Sequence, residues 1–419
     1  MKVESRQGKS ILILSGIRIF PVIMGCHVRT GGIARALARL GHRVKIFSLA
    51  GRREDYRFFG AGGSSRVVQI EPNLTEEIHL GLAIGLLQTI GRRLDRPRTW
   101  QYRMLQRGII PARLKRLLRE SDIIICDMPW TPPVPGPWSS KPWFLISHNL
   151  EHRLLEQFSA HHRRVAPWMR EVEAQAPRRF RDIFACAEQD RDFFRQHDPA
   201  ERLSLPIIRC GVDPAAYEVA PGTRARVRAE LGLTEQDHLL VFSASRYPPN
   251  SDAAEALRKF CQEEAAFLAQ HHVSILVLGS VLPGPQREGA FIATGRVPEV
   301  APYLAAADAG VNAVTWGSGS NVKLFEYLAA RLPVISTEFG ARGTGLEAGR
   351  DYLPYEAPRL SSAIERFLGG GTHEHWRAHA ELVWLRHRRG CDIQLLVADA
   401  VAPLREFQTD SAVDQRALA

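Results

Sequence analysis

The chain has 419 residues, 45% of them hydrophobic, 24% charged and 8% aromatic, a globular mix that excludes disordered, collagenous and low-complexity readings and has apolar mass for more than one core. Six cysteines with no Cys-x-x-Cys or Cys/His cluster exclude a disulfide scaffold, argue against structural zinc and fit a reducing, cytoplasmic compartment. The formal charge is +10, and residues 1–205 hold 34 basic against 20 acidic side chains while the rest holds 21 against 25, so the first half calls for an anionic partner: nucleic acid, an acidic lipid surface or a phosphorylated substrate.

Ile11–Gly16 is a short apolar run that reads as a buried parallel strand. Helical spacing over Val28–Leu40, a stop at Gly41-His42 and a second strand at Val44–Leu49 complete an opening βαβ unit. Residues 52–66 read as loop. Leu80–Ile90 is an apolar run of eleven residues, too short against the roughly 20 that cross a bilayer. Ile11–Leu14 is likewise too short for the apolar core of an export signal, so no export is expected. Further strands are expected at Ile123–Cys126, Trp143–Ser147 and Ile183–Cys186. Met128–Pro142, with six prolines, is not regular structure.

A second strand–helix rhythm follows Pro206. Its strands are expected at Leu239–Ala244, Ser274–Gly279, Phe291–Thr294, Gly310–Ala313 and Pro333–Thr337. Helices are expected at Ser251–Gln270, Val300–Ala307 and Val322–Ala330, and Glu374–Phe407 reads as two helices broken near Gly390. The pattern predicts an α/β chain of two doubly wound domains, with a break near 205–220. No GxGxxG follows the first strand, and no P-loop, GxSxG or HExxH motif is present, which weakens dinucleotide-cofactor, P-loop and those hydrolase readings.

The most informative run is Trp316–Ala330, WGSGSNVKLFEYLAA, with PVIST and Gly340-Ala341-Arg342-Gly343 after it. Gly317 and Gly319 form a flexible turn, and Ser320 or Asn321 is suited to cap the helix from Val322. A glycine turn at a helix N-terminus offers N–H groups to an anion. Lys323 adds a full charge, and Glu326 falls on the same helical face. A cation for phosphates beside a carboxylate for sugar hydroxyls suits a nucleotide diphosphate sugar, whereas the bland reading is a capped amphipathic helix with a Lys–Glu pair.

This run resembles the donor-binding segment of GT-B glycosyltransferases, specifically the retaining group 1, or family 4, sugar transferases of the Gly-Ser-Gly subgroup. Phe242–Asn250, Gly295–Asp308, Gly211-Val212-Asp213, Gly25 and His148-Asn149 extend the likeness. Three departures stand out: Ser318 sits where many members carry a Glu, Cys210 where Asn is usual, and Arg331 where Gly is favoured. The resemblance implies two Rossmann-like domains facing a cleft: an acceptor domain over 1–205, a nucleotide-sugar domain over 206–390, and a helix within 391–419 returning to the first. It implies hexosyl transfer to an acceptor hydroxyl with retention, in glycan, polysaccharide or glycolipid biosynthesis. His148, Arg246 and Lys323 would be catalytic. Val297, Pro298, Gly317, Ser318, Gly319, Ser320, Asn321, Val322 and Glu326 would bind the donor, and Gly25 and Arg29 would face the acceptor. Lys323 and Glu326 would lie on an exposed helical face at the cleft.

No cofactor or metal is expected, because the cations and helix end take over the metal's role. Asp190-Arg191-Asp192 is read as a solvated face. The alternatives are a catalytically inactive sugar-binding scaffold, or a sugar-nucleotide epimerase, on the same fold. The partners would be a nucleotide-sugar donor and a saccharide or lipid-linked acceptor. Leu80–Ile90 followed by Arg92, Arg93, Arg96 and Arg98 suits either peripheral contact with an anionic membrane at its cytoplasmic face or a core helix with solvated arginines. Nucleic acid is not expected, since no basic–aromatic interleaving is present.

Overall fold

The computed structural model describes residues 8–22, 25–49, 65–79, 110–129, 140–157, 160–317, 321–357 and 359–401. The ILIL run forms β1 (Ser10–Ser15), buried from Ile11 onward. Helix α1 (Gly25–Arg39) follows and turns Ile33, Ala34 and Leu37 inward. Next come β2 (Arg43–Leu49), β3 (Ser65–Glu71), β4 (Leu74–His79), α2 (Ala112–Glu120), β5 (Ile123–Asp127) and β6 (Trp143–Ile146). Helices α3 (Glu151–Gln157) and α4 (Ala166–Ala174), strand β7 (Asp182–Phe184) and helix α5 (Glu188–Gln196) complete the first unit. Its seven strands run in the order β3-β4-β2-β1-β5-β6-β7, parallel except for the β3–β4 pair.

The β3–β4 hairpin is absent from the strands expected from sequence, and its first residues extend into the stretch read as loop. Glu76 and Glu77 give β4 a polar reading, yet both are buried. Glu76 accepts from the Ile19 and Phe20 amides and from Ser48 Oγ. Arg113 of α2 donates two bonds to Glu77. Both carboxylates stay buried because both are hydrogen-bonded.

The second sheet repeats the plan. Strand β8 (His238–Ser243) leads to α6 (Pro248–Glu263), β9 (Val273–Leu278), β10 (Gln286–Glu288), β11 (Phe291–Gly295), α7 (Ala301–Ala306) and β12 (Ala309–Asn312). Helix α8 (Val322–Ala329), β13 (Val334–Ser336), α9 (Glu338–Ala341), β14 (Leu353–Pro354) and α10 (Leu360–Gly369) follow. The order is β10-β11-β9-β8-β12-β13-β14, with only the β10–β11 pair antiparallel. Helix α8 lies directly on β12: a Cβ on Gly310 would stand 2.2 Å from the Tyr327 ring.

Long α11 (His373–Cys391) breaks at Asp392 into α12 (Ile393–Val401). Helix α12 packs on α1, its Ile393, Leu396, Val397 and Val401 sharing a core with Ile33 and Leu37. Crossing back, it meets the outgoing linker, where Val212 and Asp392 form an isolated parallel bridge. A Cβ on Gly211 would come within 2.8 Å of the Cys391 carbonyl and Leu396, so only glycine lets the two chain crossings touch. In both sheets the strand order reverses between two neighbours, β1/β5 and β8/β12. Beyond the carboxyl ends of such strands, open α/β sheets hold ligands.

Candidate functional site

Both reversal points open into one cleft of about 1290 Å³ between the sheets. Its wall on the second sheet begins at the end of β8. Asn250 Nδ2 donates to the Ser245 carbonyl at 3.0 Å and fixes the turn that carries Arg246, whose side chain is exposed in the cleft. Val297 and Pro298 line the cleft beyond β11. Their loop turns at Gly295, whose φ is +66°, and a Cβ there would strike Gly284 at 2.9 Å.

Gly317, Asn321, Val322, Lys323 and Glu326 also line the cleft; Ser318, Gly319 and Ser320 lie outside the described residues. The expected exposed helical face is corrected here. Lys323 is buried, and its Nζ donates to Asn250 Oδ1 at 3.1 Å and lies 5.0 Å above the Phe242 ring. Burial pulls its ammonium down to about 8, because leaving water disfavours the charged form. Glu326 is half-buried and accepts from Ser243 Oγ at 2.9 Å and Tyr217 hydroxyl at 3.2 Å. Burial raises its carboxyl above the usual range. Asn321 occupies the N-cap position of α8 but makes no cap hydrogen bond. Its Nδ2 instead donates to the Gly340 carbonyl at 2.8 Å. Gly340 is itself demanded by crowding, since a Cβ there would lie 2.5 Å from Asn312 Nδ2.

The facing wall belongs to the first sheet. Gly25 opens α1 beneath Val322, 3.8 Å from a built Cβ. His148, Asn149 and Glu151 follow the end of β6 and line the cleft. His148 Nε2 lies 2.7 Å from Asp127 Oδ1, and Asp127 also accepts from Ser15 Oγ and Thr30 Oγ1. The negative carboxylate fixes Nε2 as the donor, which leaves His148 Nδ1 buried with no partner among the described residues. Across the cleft, Gln157 of α3 accepts from the Gly317 amide at 3.1 Å.

Arg29 is not at this wall. It is fully buried, and its guanidinium donates to the carbonyls of Ile208, Ser147, Phe184 and Ala185. Three of those carbonyls end β6 and β7 and the fourth, Ile208, lies on the segment bridged to Ala185, so Arg29 clamps the sheet and is unavailable to an acceptor. Asp190 is corrected as well: it is 1% exposed rather than solvated, and burial raises its carboxyl to about 7.

Asp127, Tyr217 and Arg342 were not singled out from sequence as site residues. Asp127 had a readable signal: an acid at the carboxyl end of a strand that sits at the order reversal. Arg342 lay inside the Gly-Ala-x-Gly turn at its variable position.

The comparisons fit this geometry. The family model described as Glycosyltransferase Family 4 matches residues 25–216, and the one described as Glycosyl transferases group 1 matches residues 238–369. The chain belongs to the GT-B glycosyltransferases. Among solved structures, this glycosyltransferase is similar to sucrose-phosphate synthase from Thermosynechococcus elongatus, at 15% identity and a TM-score of 0.69 over 95% of this chain and 98% of that one. It is also similar to an α,α-trehalose-phosphate synthase (UDP-forming) from Burkholderia vietnamiensis, at 16% and 0.66 over 97% and 99%. The Anabaena protein HepE, in complex with UDP-glucose, matches at 16% and 0.61 over 95% and 99%. No curated protein sequence matches the chain. Among the described residues, no helix is long and apolar enough to cross a membrane.

Proposed function

We propose that this glycosyltransferase moves a hexosyl group from a uridine-diphosphate sugar to an acceptor hydroxyl, with retention of anomeric configuration and without a metal ion. One observation carries the reading: Lys323 and Glu326 stand three residues apart on α8 and both face the cleft, a buried cation for the diphosphate beside a carboxylate for the ribose hydroxyls. The UDP-glucose bound by HepE supports uridine as the base. We take 1–205 as the acceptor domain, 206–390 as the donor domain and 391–419 as the returning segment.

In this reading the acceptor oxygen attacks the anomeric carbon on the face from which the phosphate departs. The carbon–phosphate oxygen bond breaks, its electron pair stays on the leaving diphosphate, and the acceptor proton passes to a phosphate oxygen. Lys323 and Arg246 stabilise the charge that builds there, a preorganised electrostatic contribution. His148, held by Asp127, lines the cleft and orients the sugar. The cationic first half suits a saccharide or lipid-linked acceptor at the cytoplasmic face of a membrane; the run Leu80–Ile90 and its arginines, on which membrane contact was expected, lie outside the described residues.

A thermal-shift panel of UDP-, GDP-, dTDP- and ADP-sugars tests the donor. A UDP-hexose should raise the melting temperature most, and NMR of the transferred sugar should show the donor's anomeric configuration. Stabilisation by another nucleotide alone, or an inverted product, would overturn the corresponding part.

A further inference from the structure

Arg342 is a third cation in the second sheet's wall of the cleft, beside Arg246 and Lys323, outside the motif positions that first pointed to the site. It follows α9 and lines the cleft. Its guanidinium lies 3.7 Å from the Phe339 ring centroid, and Nη1 donates to the Phe339 carbonyl at 2.7 Å. Packing against an aromatic face and a carbonyl holds the fork in one orientation. Among the described residues it forms no ion pair with a carboxylate, and Nε and Nη2 keep their hydrogens for something else.

The turn that carries Arg342 is tied to the first turn of α8. The Gly340 carbonyl accepts from Asn312 Nδ2 at 3.0 Å and from Asn321 Nδ2 at 2.8 Å. Asn321 Oδ1 in turn lies 3.4 Å from Lys323 Nζ. Lys323, Asn321, Gly340 and Arg342 therefore form one braced unit that places two cations on one wall. Burial disfavours both charges, and Arg342 adds to the cost at Lys323: the ammonium falls to about 8 and the guanidinium to about 10. Like charges held together in a partly dry cleft are stabilised by an anion between them.

The position of Arg342 along the cleft selects which anion. Glu326, with Tyr217 and Ser243, occupies the ribose end proposed above. Arg342 lies on the side of the first sheet: three residues on, a Cβ at Gly345 would stand 4.0 Å from Arg209, which pairs with Glu188 at the start of α5. Donor and acceptor meet on that side, so the phosphate there is the one that leaves. We propose that Arg342 binds the β-phosphate of the donor and stabilises the charge it acquires as the sugar departs. The assignment rests on the donor-site reading and adds a catalytic residue to it.

Calorimetry with UMP and UDP on wild type, Arg342→Gln and Arg342→Lys tests it, with melting temperatures recorded to confirm folding. R342Q should lose about tenfold or more in UDP affinity, as expected for a lost charge-assisted bidentate contact, and less than about twofold in UMP affinity. R342K should recover part of the loss, since an ammonium replaces charge but not fork geometry. Transfer by R342Q should show a kcat reduced more than the KM for acceptor is changed. Equal losses for UMP and UDP, unchanged UDP binding, or a loss confined to UDP-glucuronate relative to UDP-glucose would overturn the assignment. If wild type binds neither UDP nor UMP, the donor-site reading itself falls; if wild type binds UDP and R342Q binds it equally, only the Arg342 role falls.

Discussion

His148 Nε2 and Asp127 Oδ1 stand 2.7 Å apart at the carboxyl ends of β6 and β5, and that contact fixes the imidazole in the cleft wall. Burial would raise the Asp127 carboxyl, but His148 together with the Thr30 and Ser15 hydroxyls holds it below its usual value. A carboxylate with three donors around it fixes the ring, its tautomer and its tilt. Asp127→Asn replaces an acceptor oxygen with an NH2 donor, so one of the three partners loses its bond. We expect kcat to fall by roughly tenfold or more, with a stability loss of about 1–3 kcal/mol from the unsatisfied buried group. Steady-state kinetics beside urea denaturation separates the two effects. A D127N enzyme with wild-type kcat would show that His148 needs no orienting partner.

Lys323 and Glu326 make a paired prediction. Lys323→Ala should weaken nucleotide diphosphate binding by about tenfold or more through loss of a buried charge-assisted contact. Glu326→Ala should weaken it through the ribose, and it also strands the Tyr217 hydroxyl and Ser243 Oγ that now donate to it. E326A is therefore the less stable of the two, by roughly 1–2 kcal/mol. Donor titrations and melting curves on both variants check this. Binding close to wild type in both would move the donor site away from α8.

The strand–helix rhythm was legible because parallel strands buried on both faces read as apolar runs, as in Leu239–Phe242 and Ile123–Ile125. The placement of the α8 segment at the cleft was legible because glycine turns and a helix start leave local marks. The hairpin β3–β4 left none: Glu76 and Glu77 look like surface residues until Ile19, Phe20 and Arg113, distant in sequence, supply their partners. Arg29 misled for the same reason. A charge on the first helix reads as solvated or ligand-facing, and only the fold brings four carbonyls around it. The clamping partners at Ser147, Phe184, Ala185 and Ile208 lie more than a hundred positions away.

Arg29 makes a prediction about stability rather than activity. Arg29→Met keeps much of the volume but strands up to four buried carbonyls and should cost roughly 3–5 kcal/mol, the range for breaking a buried charged network. Denaturant titration of R29M measures it. A variant as stable as wild type that has lost only acceptor binding would restore Arg29 to the acceptor side.

Chelation tests the metal-free mechanism. With Lys323, Arg246 and Arg342 on the phosphates, transfer should proceed at an unchanged rate after dialysis against EDTA. A rate that collapses and returns with Mg²⁺ or Mn²⁺ would mean that a cation from solution supplies the charge neutralisation assigned to these side chains.

Glu151 links the cleft to pH. It opens α3 and is buried beside the carboxylates of Glu173, Asp190 and Asp127, with an Asn149 hydrogen bond favouring its charged form. Burial, then the Glu173 charge, pushes its carboxyl up to about 8 from an ordinary 4.5. Between those values the folded protein holds a proton that the unfolded chain has released. Stability contributed by the protonated acid is therefore complete below about pH 4.5 and is lost as pH rises toward 8. Glu151→Gln keeps the neutral shape and cannot ionise, so its advantage over wild type should grow from under about 1 kcal/mol at pH 5 to roughly 1–3 kcal/mol at pH 8.5, short of the ~5 that the whole shift would give. Melting curves of both proteins from pH 5 to 9 decide the point. Parallel curves with a constant gap would mean that Glu151 is ionised in the folded protein throughout, and that the carboxylates around it are screened from one another.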